Sequence, residues 1–216
     1  GVYALMKAYR EQHGRVERGA YPAILTSASA HFSIARAAVA AGLGTDAVVH
    51  IRTDAHGRMD VRELERMCAE MQADAAHPQG VPLIVCATSG TTVLGAFDDV
   101  AAIAEVCRKY DLWLHVDASW GGAAAFLPHD APERSVLAGL ENAHSITINP
   151  HKLLGVTHQC SFLLVHDKSV LIPPSHSDGG YLFHVPAEDA LDMATKTLGC
   201  GRRGDALKFY LVWLRY

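Results

Sequence analysis

Short apolar segments alternate along this chain with longer segments whose apolar residues recur every three or four positions. Apolar runs of strand length, several of them rich in β-branched residues, occur at 23–26, 48–51, 83–86, 112–116, 145–148 and 160–165. Runs of this length that end at turn-forming or polar residues are typical of buried strands. The pattern therefore predicts six strands, with helical or irregular segments between them.

Helical periodicity is clearest after Asp60. Val61, Leu64 and Met71 fall on one stripe of a helix, and Glu63 follows Asp60 at the spacing of a capping box. A helix that begins at this point would turn its apolar stripe toward the predicted sheet.

Two further helices are predicted, one earlier in the sequence and one later. One covers roughly residues 31–42 and is rich in alanine, and the other follows Asp99 and turns Val100 and Ile103 inward. Strands that alternate with helices at this spacing predict an α/β fold with a mainly parallel sheet flanked by helices. Ligands of such sheets bind outside the carboxyl ends of the strands. Candidate site residues are therefore expected there.

Composition and charge exclude several classes of protein. The chain has 216 residues, of which 50% are hydrophobic and 19% charged, with a net charge of −4 and no basic cluster. Nucleic acid and anionic membrane surfaces are therefore not expected partners. The five cysteines are scattered without a C-x-x-C pair, and the 13 histidines lack metal-ligand spacing. We expect reduced thiols in a cytoplasmic protein and no metal site.

Both ends of the chain lack the usual signs of a terminus. It begins at Gly1 without a methionine, and it finishes at 213–216 inside an apolar helical pattern. The sequence is therefore predicted to be a segment of a longer protein.

Asp117 is the first candidate site residue. The strand at 112–116 leads into D-A-S-W-G-G at 117–122, so a carboxylate followed by small residues stands where a parallel sheet opens its ligand crevice. Taken alone, Asp117 also fits the role of a helix cap or a turn aspartate.

Lys152 is the second candidate. The strand at 145–148 ends at Asn149, and Pro150 has no N–H to continue the ladder. His151 and Lys152 then project from the strand end, into the crevice of Asp117 if the two strands are neighbours. A lysine beside a desolvated crevice can act as a nucleophile and form a Schiff base. A solvated loop lysine is the plain alternative.

Together the two residues fit one chemistry. A pyridoxal phosphate enzyme needs a lysine that holds the cofactor's aldehyde and a carboxylate that keeps its ring nitrogen protonated. The segments N-P-H-K at 149–152 and H-V-D-A-S-W-G-G at 115–122 resemble the pyridoxal-phosphate-dependent group II amino acid decarboxylases. The resemblance covers nearly the whole chain, because C-A-T-S-G-T-T at 86–92 and Y-L-F at 181–183 also match. It is nearest to the glutamate and cysteine-sulfinate decarboxylase branch.

The resemblance implies a fold, a cofactor and an activity. Residues 1–216 would form the large cofactor domain of the fold-type I, aspartate aminotransferase-like fold, shortened at both ends. The cofactor would be pyridoxal 5'-phosphate. The activity would be decarboxylation of a small acidic amino acid (glutamate, cysteine sulfinate or aspartate), in a cytoplasmic homodimer whose active site lies at the subunit interface.

The resemblance also implies roles for individual residues. Lys152 matches the lysine that binds the cofactor as an aldimine, Asp117 matches the partner of the ring nitrogen, and His31 matches the histidine that stacks on the ring. Four more positions match residues near the cofactor: Thr91, Ser119, Asn149 and His151.

A catalytic loop is implied at 173–200. There Tyr181 matches a tyrosine on a mobile loop that protonates the reaction intermediate, commonly in the neighbouring subunit's site. The polar, turn-rich start of this segment agrees with a loop that moves. His115, which shares a strand face with Asp117, is expected to be structural.

Two other hypotheses remain. A related fold-type I aminotransferase or desulfurase would also have a strand-end aspartate and a lysine, but not N-P-H-K together with Y-L-F. A catalytically silent fragment or pseudoenzyme would act only through dimerisation. The presence of Lys152, Asp117, His31 and Tyr181 argues against decay of the site.

Overall fold

A computed structural model of the chain describes residues 21–74, 77–167 and 203–215. The strands are β1 (Pro22–Ser27), β2 (Val48–Ile51), β3 (Val81–Thr88), β4 (Trp113–Asp117), β5 (Ser145–Ile148) and β6 (Phe162–Val165). The α-helices are α1 (Ser33–Ala40), α2 (Val61–Ala73), α3 (Val100–Tyr110) and α4 (Asp205–Trp213). Short 3₁₀ turns are formed at Thr45–Ala47, Gly121–Phe126, Pro132–Leu137 and Leu140–Asn142. All six predicted strands are present.

The strands form one sheet in the order β2-β1-β3-β4-β5-β6. The first five run parallel, and β6 is antiparallel to β5. The predicted α/β fold with a mainly parallel sheet is therefore confirmed. In the pairing of β4 with β5, Asp117 lies opposite Thr147 and His115 lies opposite Ser145. The carboxyl ends of β3, β4 and β5 thus meet at one edge of the sheet.

The two faces of the sheet pack against different helices. The larger core joins the sheet to α2 and α3 through Leu64, Ile103 and Leu114. The smaller core joins it to α1 through Ile34 and Trp113. Side chains alternate between faces along a strand, so the odd-numbered residues of β4 face α1 and the even-numbered residues face α2 and α3.

Helix α2 begins where the capping pattern predicts. The Asp60 carboxylate accepts hydrogen bonds from the backbone N–H groups of Arg62 and Glu63. The reciprocal half of the capping box does not form, because the Asp60 N–H donates to the Arg52 carbonyl and the Glu63 carboxylate pairs with Arg66 at 2.7 Å. In the part of the chain that the structure describes, no helix combines the length and the apolar content needed to cross a membrane.

Candidate functional site

A cavity of about 750 Å³ opens at the carboxyl edge of β3, β4 and β5, beside the start of α1. Six of the eight residues predicted for the site line it: His31, Asp117, Ser119, Asn149, His151 and Lys152. The sheet brings them together because β4 and β5 are hydrogen-bonded neighbours. The cavity is of the size that encloses a cofactor or a small ligand.

Asp117 is the last residue of β4 and is half-buried. Its Oδ1 accepts a hydrogen bond of 3.0 Å from the Ser119 N–H, which folds the chain back over the strand end in an Asx turn. Among the described residues, Oδ2 has no hydrogen-bond partner. One carboxylate oxygen is therefore left for a donor that enters the cavity.

Lys152 follows β5 in a tight turn. The strand ends at Ile148, and the Lys152 N–H donates to the Asn149 carbonyl at 2.9 Å across the buried Pro150. This is the strand end that the Asn-Pro pair predicts. The expected desolvation of Lys152 does not occur within the described residues, since its side chain is exposed at the wall of the cavity.

His151 ties the lysine turn to the start of the next strand. The Cys160 N–H donates to His151 Nδ1 at 3.0 Å, and the His151 ring meets the edge of the His158 ring with centroids 4.3 Å apart. His151 Nδ1 also lies 2.5 Å from the Cys160 carbonyl oxygen, so both backbone groups of Cys160 meet this ring nitrogen. Both histidines line the cavity beside Lys152.

Asn149 contributes a buried polar atom that nothing in the described structure satisfies. Its Oδ1 is closed to solvent and has no hydrogen-bond partner there, yet the residue lines the cavity. Burying such an atom without a partner costs roughly 1–3 kcal/mol. A bound polar group that reached it would recover that free energy, so the cavity has the character of a binding site.

His31 also lines the cavity and lies just before α1. The Ser33 N–H donates to His31 Nδ1 at 3.2 Å, and the Phe32 ring lies 4.1 Å from the imidazole, centroid to centroid. These contacts fix the ring just before α1, where the residue lines the cavity.

One predicted site residue of the described ranges, Thr91, does not line the cavity. Thr91 is buried, and its hydroxyl accepts a hydrogen bond of 2.9 Å from the Ala96 N–H, closing the turn after β3. Its neighbour Thr92 lines the cavity instead. Tyr181 and the predicted loop at 173–200 lie outside the described residues. The roles assigned to Thr91 and Tyr181 stay predictions.

Several polar residues of the cavity wall carry little or no signal in the sequence. Thr147 and Ser161 line it, as do His158 and Gln159 from the turn before β6. Thr147 could have been found, because Ser145, Thr147 and Asn149 alternate with apolar residues and so share one face of β5. His158 and Gln159 carried no such signal, since a turn has no side-chain period.

His115 also lines the cavity, although it is almost fully buried. Its Nδ1 lies 2.8 Å from Ser145 Oγ, and Ser145 Oγ also accepts from Trp113 Nε1 at 3.0 Å. Burial lowers the pKa of His115 to about 4, against the opposing effect of the nearby Asp117 carboxylate. The ring is therefore neutral at physiological pH, which agrees with the structural role expected for it.

The fold, the strand-end carboxylate and the lysine turn agree with what sequence comparison finds. The chain belongs to the pyridoxal-dependent decarboxylase family, whose conserved domain matches residues 3–216. The cofactor of this family is pyridoxal phosphate.

Relatives within the family carry names of acidic amino acid decarboxylases. The chain is 45% identical over 194 residues to the cysteine sulfinic acid decarboxylase of Homo sapiens, covering 88% of this chain and 38% of the relative. It is 44% identical over 195 residues to the L-aspartate decarboxylase dtxS4 of Metarhizium robertsii, covering 90% of this chain and 38% of that one.

A solved structure agrees with the fold. The crystal structure of mouse CSAD in apo form superposes with a TM-score of 0.82 at 38% identity, covering 99% of this chain and 44% of the mouse chain. The present chain thus spans well under half the length of the proteins it matches.

Proposed function

We propose that the protein containing this chain is a pyridoxal-phosphate-dependent decarboxylase of a small acidic amino acid. The observation that carries the proposal is the shared cavity, which collects Asp117, Asn149, His151 and Lys152 at the carboxyl edge of two neighbouring strands. The names of the relatives, cysteine sulfinic acid decarboxylase and L-aspartate decarboxylase, support the substrate class.

The residues of the cavity fit pyridoxal phosphate. Lys152 provides an exposed amine for its aldehyde, and the Oδ2 oxygen of Asp117 can accept from a protonated ring nitrogen. The unsatisfied Oδ1 of Asn149 and the His31 ring add a polar and a flat contact. When bound, pyridoxal phosphate supplies an electron-accepting ring to the reaction.

Each side chain then has a distinct task. Asp117 holds a negative charge in a fixed direction, because the Ser119 N–H anchors its other oxygen. Lys152 holds the cofactor between turnovers and moves a proton at its Nζ when the amine product leaves. His31 and His151, which both line the cavity, orient the bound groups. Tyr181, on the proposed catalytic loop at 173–200, donates the proton that replaces the departing carboxylate.

We further propose a homodimer with the active site at the subunit interface. Trp120 and Leu153 each stand one residue from a predicted site residue, and their side chains are 45% and 54% exposed. With Phe126 and Leu127 they line a second, apolar depression of about 520 Å³ next to the site. Exposed apolar surface of this kind favours contact with another protein surface.

A cytoplasmic location and the domain assignment belong to the same proposal. The described cysteines at 68, 86, 107 and 160 are all free and buried, as is usual in a reducing compartment. The match of the family domain to residues 3–216 supports treating 1–216 as part of one cofactor-binding domain.

The first test is covalent trapping in the full-length protein. Incubation with pyridoxal phosphate, borohydride reduction and peptide mass spectrometry should place the phosphopyridoxyl group on Lys152 alone. Lys109 is the matched control, because it is an exposed lysine of α3 that pairs with Glu65 of α2 and does not line the cavity. Lys109→Ala should leave the label unchanged and Lys152→Ala should abolish it. Label scattered over several lysines would sink the proposal.

The second test concerns activity. Release of CO₂ from aspartate, cysteine sulfinate and glutamate should be measured with the wild-type protein and with Asp117→Asn, which keeps the shape but removes the charge. We expect the variant to lose at least about a hundredfold in kcat, because a charge held in a fixed direction contributes strongly to rate. Trapping at Lys152 without release from any of the three substrates would instead favour a catalytically silent protein.

A further inference from the structure

A polar stripe lies beneath the cavity, on the face of the sheet that packs against α1. Trp113 and His115 point to this face from β4, and Ser145 and Thr147 point to it from β5. His115 and Ser145 form one register pair, and Asp117 and Thr147 form the next pair toward the cavity. The stripe therefore connects the interior of the sheet to the carboxylate at its edge.

The hydrogen bonds of this stripe have a single direction. An indole N–H can only donate, so Trp113 Nε1 donates to Ser145 Oγ over 3.0 Å. Ser145 is almost fully buried, and its own O–H needs an acceptor. His115 Nδ1, at 2.8 Å, is that acceptor. Nδ1 therefore carries no proton, and the proton of the neutral ring is on Nε2.

The Nε2–H group faces the site. Thr147 Oγ1 lies 3.4 Å from His115 Nε2 and accepts from it weakly, which leaves the Thr147 hydroxyl proton for the cavity that both residues line. On the other side, the register partner of His115 is Cys86 of β3, a buried thiol. Within the described ranges, Asp117 is thus the charged group that lies next to His115.

A protonated His115 would work against the site. It would form an ion pair with Asp117 and neutralise the carboxylate that a cationic ligand requires. It would also present an N–H to Ser145 and leave the buried serine hydroxyl proton without an acceptor. Both effects are avoided because the Ser145 hydroxyl donates to Nδ1, and a nitrogen that accepts this hydrogen bond cannot carry a proton.

We propose that His115 is a positioning residue, held as the neutral Nε2–H imidazole by Ser145 and Trp113 so that the charge of Asp117 remains available to the bound cofactor. This inference rests on the proposed function, because it takes the cationic partner of Asp117 to be the ring nitrogen of pyridoxal phosphate. It goes further by assigning a task to three residues that do not contact the reacting atoms.

The protonation state can be read without any activity. Nitrogen-15 NMR of the unloaded full-length protein, labelled at histidine ring nitrogens, should show a His115 signal that disappears in His115→Gln. We expect the neutral pattern with the proton on Nε2, unchanged from about pH 8 to about pH 6. A charged ring, or a proton on Nδ1, would overturn the inference even if the cofactor binds.

The function of the stripe is tested by binding. The glutamine of His115→Gln can still offer an N–H near the Nε2 position, whereas His115→Leu offers none. We expect His115→Gln to bind pyridoxal phosphate about tenfold more tightly than His115→Leu, because only the glutamine can keep the hydrogen bond to Thr147 Oγ1, the register partner of Asp117. Equal affinities would mean that the ring only fills space.

A double-mutant cycle distinguishes an effect of Ser145 that acts through His115 from an effect on packing alone. Ser145→Ala should weaken cofactor binding in the wild-type background but have little further effect in His115→Gln, because Ser145 acts through Nδ1. Additive losses of cofactor affinity in the double variant would contradict an effect of Ser145 that acts through His115. Ser135→Ala, at an exposed serine outside the cavity, is the matched control, and thermal melts of each variant exclude loss of fold. Failure of the wild-type protein to bind the cofactor would instead refute the proposed function, and the NMR result would still decide the state of His115.

Discussion

Asp98 is a buried carboxylate that joins two distant parts of the chain. Its Oδ1 accepts from the Met59 N–H at 2.6 Å and its Oδ2 from the Thr88 N–H at 2.8 Å. Thr88 is the last residue of β3, so this single side chain ties the edge of the site to the segment before α2. Burial raises the pKa of Asp98 despite the two hydrogen bonds.

This pKa shift predicts the pH dependence of stability. A carboxylate whose pKa is higher in the folded state contributes stability below its unfolded value of 3.8, and that contribution is lost as the pH rises through the folded pKa. The stability of the wild type relative to Asp98→Asn should therefore decrease as the pH rises above 3.8. Urea unfolding of both proteins across this range measures it.

The same substitution also has an effect that does not depend on titration. The asparagine side chain has one acceptor oxygen, so either Met59 or Thr88 would lose its hydrogen bond. We expect Asp98→Asn to destabilise the protein by about 1–3 kcal/mol near neutral pH. Asp46→Asn, at an exposed aspartate, should change the free energy of unfolding very little. Equal unfolding midpoints for the two variants would contradict this account.

At the scale of elements, the turns after β3 and β4 pack directly on one another below the cavity. The Gly121 N–H donates to the Ser89 carbonyl at 3.0 Å. A Cβ at Gly121 would lie 2.4 Å from a Phe97 ring carbon and 2.5 Å from that carbonyl oxygen. A side chain there would force the two turns apart, and with them the positions of Asp117 and Thr92.

Gly121→Ala should therefore damage both stability and the site. We expect a loss of about 1–3 kcal/mol from overpacking, together with weaker cofactor binding, because the displaced turns line the cavity. Gly204→Ala is the control, since a Cβ there meets nothing nearer than 3.8 Å and the backbone angle is ordinary. Differential scanning calorimetry and cofactor titration measure the two effects. Similar melting temperatures for both variants would argue against the close approach.

At the scale of the whole molecule, the reactivity of the described cysteines shows whether both faces of the sheet stay packed. Cys68 and Cys107 lie in the larger core and Cys86 in the smaller one. Burial raises the pKa of Cys68 and of Cys86 to about 12, and raises the pKa of Cys107 as well. Thiolates are the reactive form, so these thiols should be inert in the folded protein.

Alkylation followed by mass spectrometry tests this expectation. In native buffer the reagent should leave Cys68, Cys86 and Cys107 unmodified, and in denaturant it should modify all three. Modification of Cys86 alone under native conditions would show that the face under the cavity opens independently of the rest of the sheet.

Much of the fold could be predicted because local signals agree with it. The strand at 145–148 has the predicted bounds, because Asn149 is followed by Pro150, which has no N–H to continue the strand pairing. Asp117 and Lys152 could be predicted to share one crevice on the condition that their strands are neighbours, and β4 and β5 are indeed paired. Periodicity carries this information wherever an element is regular.

The remaining site residues could not be predicted because they lie in turns. Thr91 and Thr92 are adjacent, and only the turn geometry after β3 turns the first inward and the second toward the cavity. His158 and Gln159 reach the cavity through the antiparallel return of β6, which the sequence does not indicate. In such places long-range contacts, not local pattern, determine which side chain faces the ligand.

The segment that carries Lys152 has the form of an Ω-loop. Its two ends are held together by the hydrogen bond between the Cys160 N–H and His151 Nδ1 and by the antiparallel pairing of β5 with β6. Because the closure lies below residues 153–159, changes in the length of that stretch should leave the backbone anchoring of Lys152 intact. The loop is thus a place where the protein can acquire new contacts to a ligand while Lys152 keeps its position.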